Sequence, residues 1–239
     1  MLVLSEPSSA IDFYHGSVLR WEDQLLLFER TVESHGRVDI ILANAGIHEK
    51  MEDVFADTYD EGGHLAEPKL MVLDINLRSV IFTTKLALHF FRKLNIPGSI
   101  VLTGSAASYL PTPGIPMYNT SKHGLIGLLR SLRDTLAKDG LVRLNVAAPA
   151  FTETPFSEKS LAMWQREGLP INQPADVAKV IVFLAINASF HGKGVYIAGG
   201  VSTEIEDSIE ETRELWLGKQ KTAWVDARKS SNVSYGKID

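Results

Sequence analysis

The feature that most restricts how this chain can fold is a fourfold alternation. A stretch with apolar residues at helical spacing is followed each time by a short, almost purely apolar run. Trp21, Leu25, Phe28 and Val32 recur every three or four residues, and Gly36 follows where a helix would stop. Residues 38–43, with Ile40, Ile41 and Leu42, are too uniformly apolar for a strand with one wet face and fit one covered on both. The same grammar predicts a helix over 71–94, a strand over 99–103, a helix over 119–138, a strand over 142–147, a helix over 175–188 and a strand over 195–198. Strands separated by helices pair through crossovers, so the expected fold is α/β: a doubly wound, Rossmann-like parallel sheet with helices on both faces.

Composition narrows the class. The 239 residues are 45% hydrophobic and 22% charged, with no Pro, Gly or Ser-rich divider, which predicts one well-cored domain over 1–239. A net charge of -5 offers no basic surface for a nucleic-acid backbone. With no cysteine, disulfides and thiolate metal sites are excluded and a cytoplasmic location is expected. No apolar run approaches the roughly 18 residues of a membrane span, so no membrane association is expected. His48, His64 and His123 lack metal-ligand spacing and read as loop or surface histidines.

The chemistry gathers around the third helix. Tyr118 and Lys122 stand four residues apart, so both side chains leave one face about a turn apart. A phenol normally ionises near pH ~10, and using it as an acid or base near neutrality calls for a nearby cation. Lys122 supplies that charge. Ser105 lies just past the 99–103 strand, where ligands bind in open parallel sheets, and its hydroxyl could face the tyrosine across a crevice. Capping of the following turn is the alternative use of Ser105, and Ser108 is the rival serine.

Ser105, Tyr118 and Lys122 at these spacings resemble the catalytic triad of the short-chain dehydrogenase/reductase family, in its classical form. The similarity extends over roughly 21–200. Asn44, Ala45 and Gly46 resemble the family's Asn-Ala-Gly turn, which stabilises the sheet and lies beside the cofactor's adenosine ribose. Asn76 resembles the helix asparagine that completes a tetrad through a bound water. Thr152 and Thr154 occupy positions that reach the nicotinamide side, following a Pro149-Ala150 pair where the family usually has Pro-Gly. The resemblance implies a catalytic set of Asn76, Ser105, Tyr118 and Lys122. It implies a cofactor set of Asn44, Ala45, Gly46, Tyr118, Lys122, Thr152 and Thr154, for NAD or NADP. Residues 152–172 resemble the substrate lid, and their apolar residues suggest a small hydrophobic carbonyl or alcohol. The 57–67 loop is expected to flank the substrate. Dimers or tetramers of the chain would form through the 71–94 and 119–138 helices. Residues 121–124 and the Trp216-Leu217-Gly218 tail resemble the 15-hydroxyprostaglandin dehydrogenase-like branch.

One family element is not in the sequence: the TGxxxGxG turn between a first strand and helix. Before Asn44 the only glycines are Gly16 and Gly36, isolated from each other, and Ser17 stands where an adenine-contacting Asp is usual. The expectation is an N-terminally truncated Rossmann-like unit. Residues 1–20 would be a remnant of the cofactor half, with 12–18 the surviving third strand and NAD or NADP binding weakened or lost. In the strand order 3-2-1-4-5-6 this orphans the 12–18 strand and leaves 38–43 as an exposed apolar edge, which residues 1–18 or a partner should cover. Residues 201–239 read as a polar tail docked by Trp216 and Trp224. Four functions stay open: a nicotinamide-dependent oxidoreductase acting on a secondary alcohol or ketone; a cofactor-independent isomerase, cyclase or dehydratase using the same Tyr/Lys pair; an inactive subunit; and a truncated gene model of a longer protein.

Overall fold

A computed structural model of the chain describes residues 11–49 and 54–231. Helix α1 (Trp21–His35) forms where the apolar stripe predicts it. Glu22 and Asp23 occupy its first turn, where the helix dipole favours anions, and Gly36 closes it in the left-handed conformation (φ 76°) with its N–H on the Val32 carbonyl. Strands β1 (Ile40–Ala43), β2 (Gly98–Thr103), β3 (Val142–Pro149) and β4 (Gly194–Ala198) pair in parallel, in chain order. A tight turn at Gly199 and Gly200, both at positive φ, then returns the chain as an antiparallel strand β5 (Val201–Glu204).

Between β1 and β2 the chain runs through α2 (Met71–Leu73), a π-helical turn (Asp74–Arg78) and α3 (Ser79–Leu94). Helix α4 (Pro116–Asp139) links β2 to β3, and α5 (Glu158–Arg166) and α6 (Pro174–Ile186) link β3 to β4. Side chains alternate across the sheet as strand geometry requires. On one face Ile100, Leu102, Leu144 and Val146 pack beneath α1, α3 and α4, with Phe28, Phe90, Phe91, Leu125 and Leu129. On the other, Val101, Ala147, Val195 and Ile197 pack beneath α6 with Leu184 and Ala185. The expected sheet with helices on both faces is present. No helix among the described residues is long and apolar enough to cross a membrane.

Three expectations are corrected. Residues 12–18 are not a strand: they form a loop held by α1, where Gln24 donates to the Val18 carbonyl (2.6 Å) and Asp23 accepts from Ser17 N–H (2.9 Å). Strand β1 is not covered on both faces. Among the described residues it pairs with β2 alone, and Ile40 and Leu42 are 43% and 48% exposed while Ile41 and Ala43 lean on the first core. The proposed cover by residues 11–18 therefore fails, and residues 1–10 lie outside the described part.

The third correction concerns the tail, which is structured. It carries β5, α7 (Glu206–Glu211), α8 (Arg213–Leu217) and α9 (Lys219–Ser230), but Trp216 and Trp224 do not dock it, each being 62% exposed. Its anchor is polar. Glu206, only 2% exposed, accepts from Arg130 through both carboxylate oxygens (2.8 and 3.0 Å), from Arg133 (3.3 Å) and from the Tyr109 hydroxyl (3.0 Å). A Cβ at Gly194 would run into that hydroxyl, so glycine there lets Tyr109 reach the carboxylate. A buried carboxylate with this many donors is costly to disturb, because the cations it neutralises stay behind. Glu206→Ala should lower stability by about 2–4 kcal/mol, the buried-pair cost reduced because Arg130 is partly exposed, and Tyr109→Phe by roughly 1 kcal/mol. Urea denaturation midpoints check both.

Candidate active site

The loops that leave the carboxyl ends of β1, β2 and β3 share one edge of the sheet, the edge where open parallel sheets bind ligands. Helix α4 starts there. Pro116 suits the first helical position, where no N–H is needed, but the capping position Ile115 has no side chain able to satisfy the free N–H groups that follow. Glu49, from the loop after β1, fills that role: its buried carboxylate accepts from Tyr118 N–H at 3.0 Å, at the positive end of the helix dipole. The start of the helix is thus fixed by a residue 69 positions away.

One turn on, Lys122 is buried and its Nζ donates to the Thr103 carbonyl at the tip of β2 (2.8 Å), lying 5.6 Å from the centre of the Tyr118 ring. The Tyr118 phenol lies within electrostatic reach of the Ser105 side chain, which favours its ionised form. Ser105 also caps the short turn Ala106–Ser108, its Oγ accepting from Ala107 N–H (3.2 Å), so the capping and site-facing readings hold together. Ser108 is buried, with its hydroxyl accepting from Ser105 N–H (3.1 Å).

Asn76 sits in the π-helical turn, a local widening that recurs at functional sites. It is 1% exposed and fully engaged. Oδ1 accepts from Ile47 N–H (2.8 Å), while Nδ2 donates to the Ile47 carbonyl (2.9 Å) and to Ser121 Oγ (3.2 Å). Ser121 in turn donates to the Tyr118 carbonyl (2.7 Å). Asn44 accepts from the Thr103 hydroxyl (2.8 Å), joining the ends of β1 and β2, and Ala45 is exposed beside it. Gly46 passes close to both partners: a Cβ there would lie 3.3 Å from Asn76 Oδ1 and 3.7 Å from Lys122 Nζ.

Asn44, Gly46, Asn76, Ser105, Tyr118 and Lys122 are therefore linked through this network. Thr152 and Thr154 are not. Their hydroxyls turn back onto the Ala150 and Thr152 carbonyls (3.0 and 3.4 Å), and no hydrogen bond joins them to the triad. The ends of the 152–172 segment are pinched together at Thr152 and the fully buried Asn172, whose Nδ2 donates to the Ile197 carbonyl (2.9 Å). The 57–67 loop closes on itself through a Tyr59–Leu65 bridge.

The electrostatics depart from one expectation. Burial pushes the Tyr118 phenol above its ordinary range, and the Ser105 side chain offsets only part of this. Lys122 does not depress it here, because the ammonium lies over the ring and spends a hydrogen bond on Thr103, and burial lowers Lys122 itself to about 8. Two site neighbours escaped the sequence reading. His48, read as a loop histidine, stacks on the Tyr118 ring, and no spacing pattern links Glu49 to a helix that begins at Pro116.

Lys122 makes a pH-dependent contribution whose sign is fixed. Unfolded, the lysine keeps its proton to about 10.5; folded, it releases it near 8. Between about pH 8 and 10 the unfolded chain binds more protons, so this term makes stability rise with pH. Above 10 the raised Tyr118 phenol opposes it. Lys122→Met should remove the rise, as the difference between wild-type and variant denaturation midpoints across that window will show.

Comparisons with known proteins agree on kinship. The short chain dehydrogenase family model matches residues 3–164. The chain is 32% identical over 229 residues to short-chain dehydrogenase/reductase prx4 of Penicillium rubens, covering 88% of this chain and 68% of that protein. It is 28% identical over 236 residues to 5'-hydroxyaverantin dehydrogenase of Dothistroma septosporum, covering 91% and 76%. Among solved structures, ElxO with NADP bound superposes with a TM-score of 0.66 at 25% identity, covering 79% of this chain and 77% of that one. With a family model spanning more than half its length and a relative of this identity and coverage, the chain belongs to the short-chain dehydrogenase/reductase family.

Proposed function

We propose that this protein interconverts a secondary alcohol and the corresponding ketone with a nicotinamide cofactor, NAD or NADP, at Ser105, Tyr118 and Lys122. The observation that carries the reading is that a buried lysine, tied to the tip of β2 and 5.6 Å from the Tyr118 ring, and Ser105, in the turn that leaves the same strand, converge on the phenol. Two hydroxyls that converge can both reach one substrate oxygen. In reduction, Tyr118 gives its proton to the carbonyl oxygen while Ser105 donates a hydrogen bond to the same atom. The raised phenol suits this direction, since it is fully protonated near neutral pH. In oxidation the proton moves the other way, to a phenolate that a bound ligand's charge or hydrogen bonds must favour, since Lys122 does not lower the phenol in this arrangement. Asn76 and Glu49 hold the geometry without touching the reacting atoms.

The cofactor supplies the hydride acceptor or donor. Its nicotinamide half fits the residues present: Gly46 leaves a cradle beside Lys122 and Asn76 that a methyl group would crowd, and Lys122 is placed to hold a ribose hydroxyl. The pyrophosphate has less to meet. Gly36 ends a helix and Gly16 lies in a loop, so neither opens a helix N-terminus of the kind that cradles phosphate. Support also comes from the relatives named as dehydrogenases and from ElxO, whose structure holds NADP. The segment 152–172 presents Phe156, Met163 and Leu169 half-exposed, which suits a hydrophobic substrate.

The test is turnover of a panel of secondary alcohols and ketones, with NAD(H) and NADP(H) followed at their absorbance. Turnover requiring one of these cofactors is expected, and Tyr118→Phe should reduce it by roughly a hundredfold or more, the range of a lost general acid. Turnover of a ketone without any nicotinamide would replace this reading with the isomerase, cyclase or dehydratase alternative.

A further inference from the structure

Three rings from three separate segments meet beside the phenol. His48 lies nearly flat on the Tyr118 ring (centroids 5.2 Å apart, planes at 25°). Phe156 meets His48 edge-on (5.4 Å, 73°) and tilts against Tyr118 (6.3 Å, 49°). The His48 ring is held in place, since its Nδ1 is hydrogen-bonded to the Glu49 carbonyl (2.7 Å) while the Glu49 carboxylate grips Tyr118 N–H. One residue therefore orients both rings. Phe156 is anchored differently. It is 52% exposed and projects from the turn between Thr154 and Ser157, ahead of α5, a helix with no buried residue.

An exposed imidazole stacked on the phenol, met edge-on by a lightly held phenyl, is a construction for stacking. An aliphatic substrate would be served equally well by Leu or Val. Two exposed rings beside the phenol, one nearly parallel to it and one tilted, instead favour a ligand with its own π-face, because offset and edge-on ring contacts add attraction beyond buried area. We propose that His48 and Phe156 form an aromatic subsite that selects a flat, conjugated carbonyl compound or its alcohol. Its ring lies against the outer face of His48, and Phe156 moves aside to cover its other face. The inference rests on the oxidoreductase reading for the chemistry that follows, but the subsite can be tested by binding alone.

The probes are 2-naphthol and its fully saturated counterpart, decahydro-2-naphthol, titrated calorimetrically into the full chain. They share a carbon skeleton and oxygen position, and the saturated compound is at least as apolar, so burial alone gives no preference for naphthol. Wild type should bind 2-naphthol about three- to tenfold more tightly, the range an aromatic pair contributes beyond its area. His48→Ala and Phe156→Ala should each bring the ratio towards one, and His48→Phe, which restores a ring, should keep it. Equal affinity for the two probes in the wild type, or an unchanged ratio in His48→Ala, would overturn the proposal. Reduction of 1-tetralone with NADH and with NADPH, measured on the same preparation, separates the two readings: discrimination without turnover with either cofactor removes the redox assignment and leaves the subsite, whereas turnover without discrimination does the reverse.

Discussion

The N-terminus of α4 has to sit in one place and one rotation for a phenol, an ammonium and a serine hydroxyl to meet, and the contacts that fix it are polar and long-range. Glu49 caps the helix from the loop after β1, Lys122 ties it to the tip of β2 through Thr103, and Ser121 ties it to Asn76 in the π-helical turn. Each contact joins a backbone or side-chain group that burial has removed from water, so losing one leaves an unsatisfied partner costing about 1–3 kcal/mol. Asn76 shows the economy of the arrangement. A single buried amide satisfies both backbone groups of Ile47 and reaches Ser121 on α4, which places the turn at Gly46 against Lys122. Disturbing Asn76 would shift the helix and the turn together.

The same burial that gives precision sets the charges. Lys122 is desolvated enough to fall to about 8, and the phenol beside it rises, so the uncharged forms of both gain. This is the reverse of a pre-formed phenolate. A buried phenol next to a partly neutralised ammonium is a proton donor in waiting, and it becomes a base only when a ligand's own charge or hydrogen bonds alter the balance. The chemistry assigned to the tyrosine then depends on the loaded cleft, while its position does not.

How far the sequence foretold this follows from what pattern can encode. Strands β2, β3 and β4 and helices α1, α4 and α6 are written as apolar runs and stripes, which local burial dictates, and each forms within a few residues of its expected place. That Ser105, Tyr118 and Lys122 lie near one another was legible because Tyr118 and Lys122 share one helix face and Ser105 follows a strand. The misses are of another kind. The π-helical turn changes the register of a helix without changing its apolar spacing, and β5 reads as polar because all but its last residue are exposed. The tail is pinned by Glu206 to Tyr109 and Arg130, partners 97 and 76 positions away, whereas the two conspicuous tryptophans are solvated. His48 and Glu49 belong to the site only through residues far along the chain. Apolar pattern predicts elements; polar ties between loops must be seen in three dimensions.

Those ties also divide labour between the two halves of the site. The chemistry-bearing residues hang on the face with the larger core, where α1, α3 and α4 press on β2 and β3 through Phe28, Phe91, Leu125 and Leu129. The 152–172 segment springs from the other side, pinched at Thr152 and Asn172 and steadied by the Phe151–Trp164 stack (4.5 Å, 17°), but with no buried residue along α5. Few buried contacts mean low local stability, so this segment can open and close at little cost while the triad stays put. A lightly held α5 and a fixed α4 start let residues such as Phe156 change without moving Tyr118. The His48 ring is fixed to the rigid half yet faces the other, where it meets Phe156.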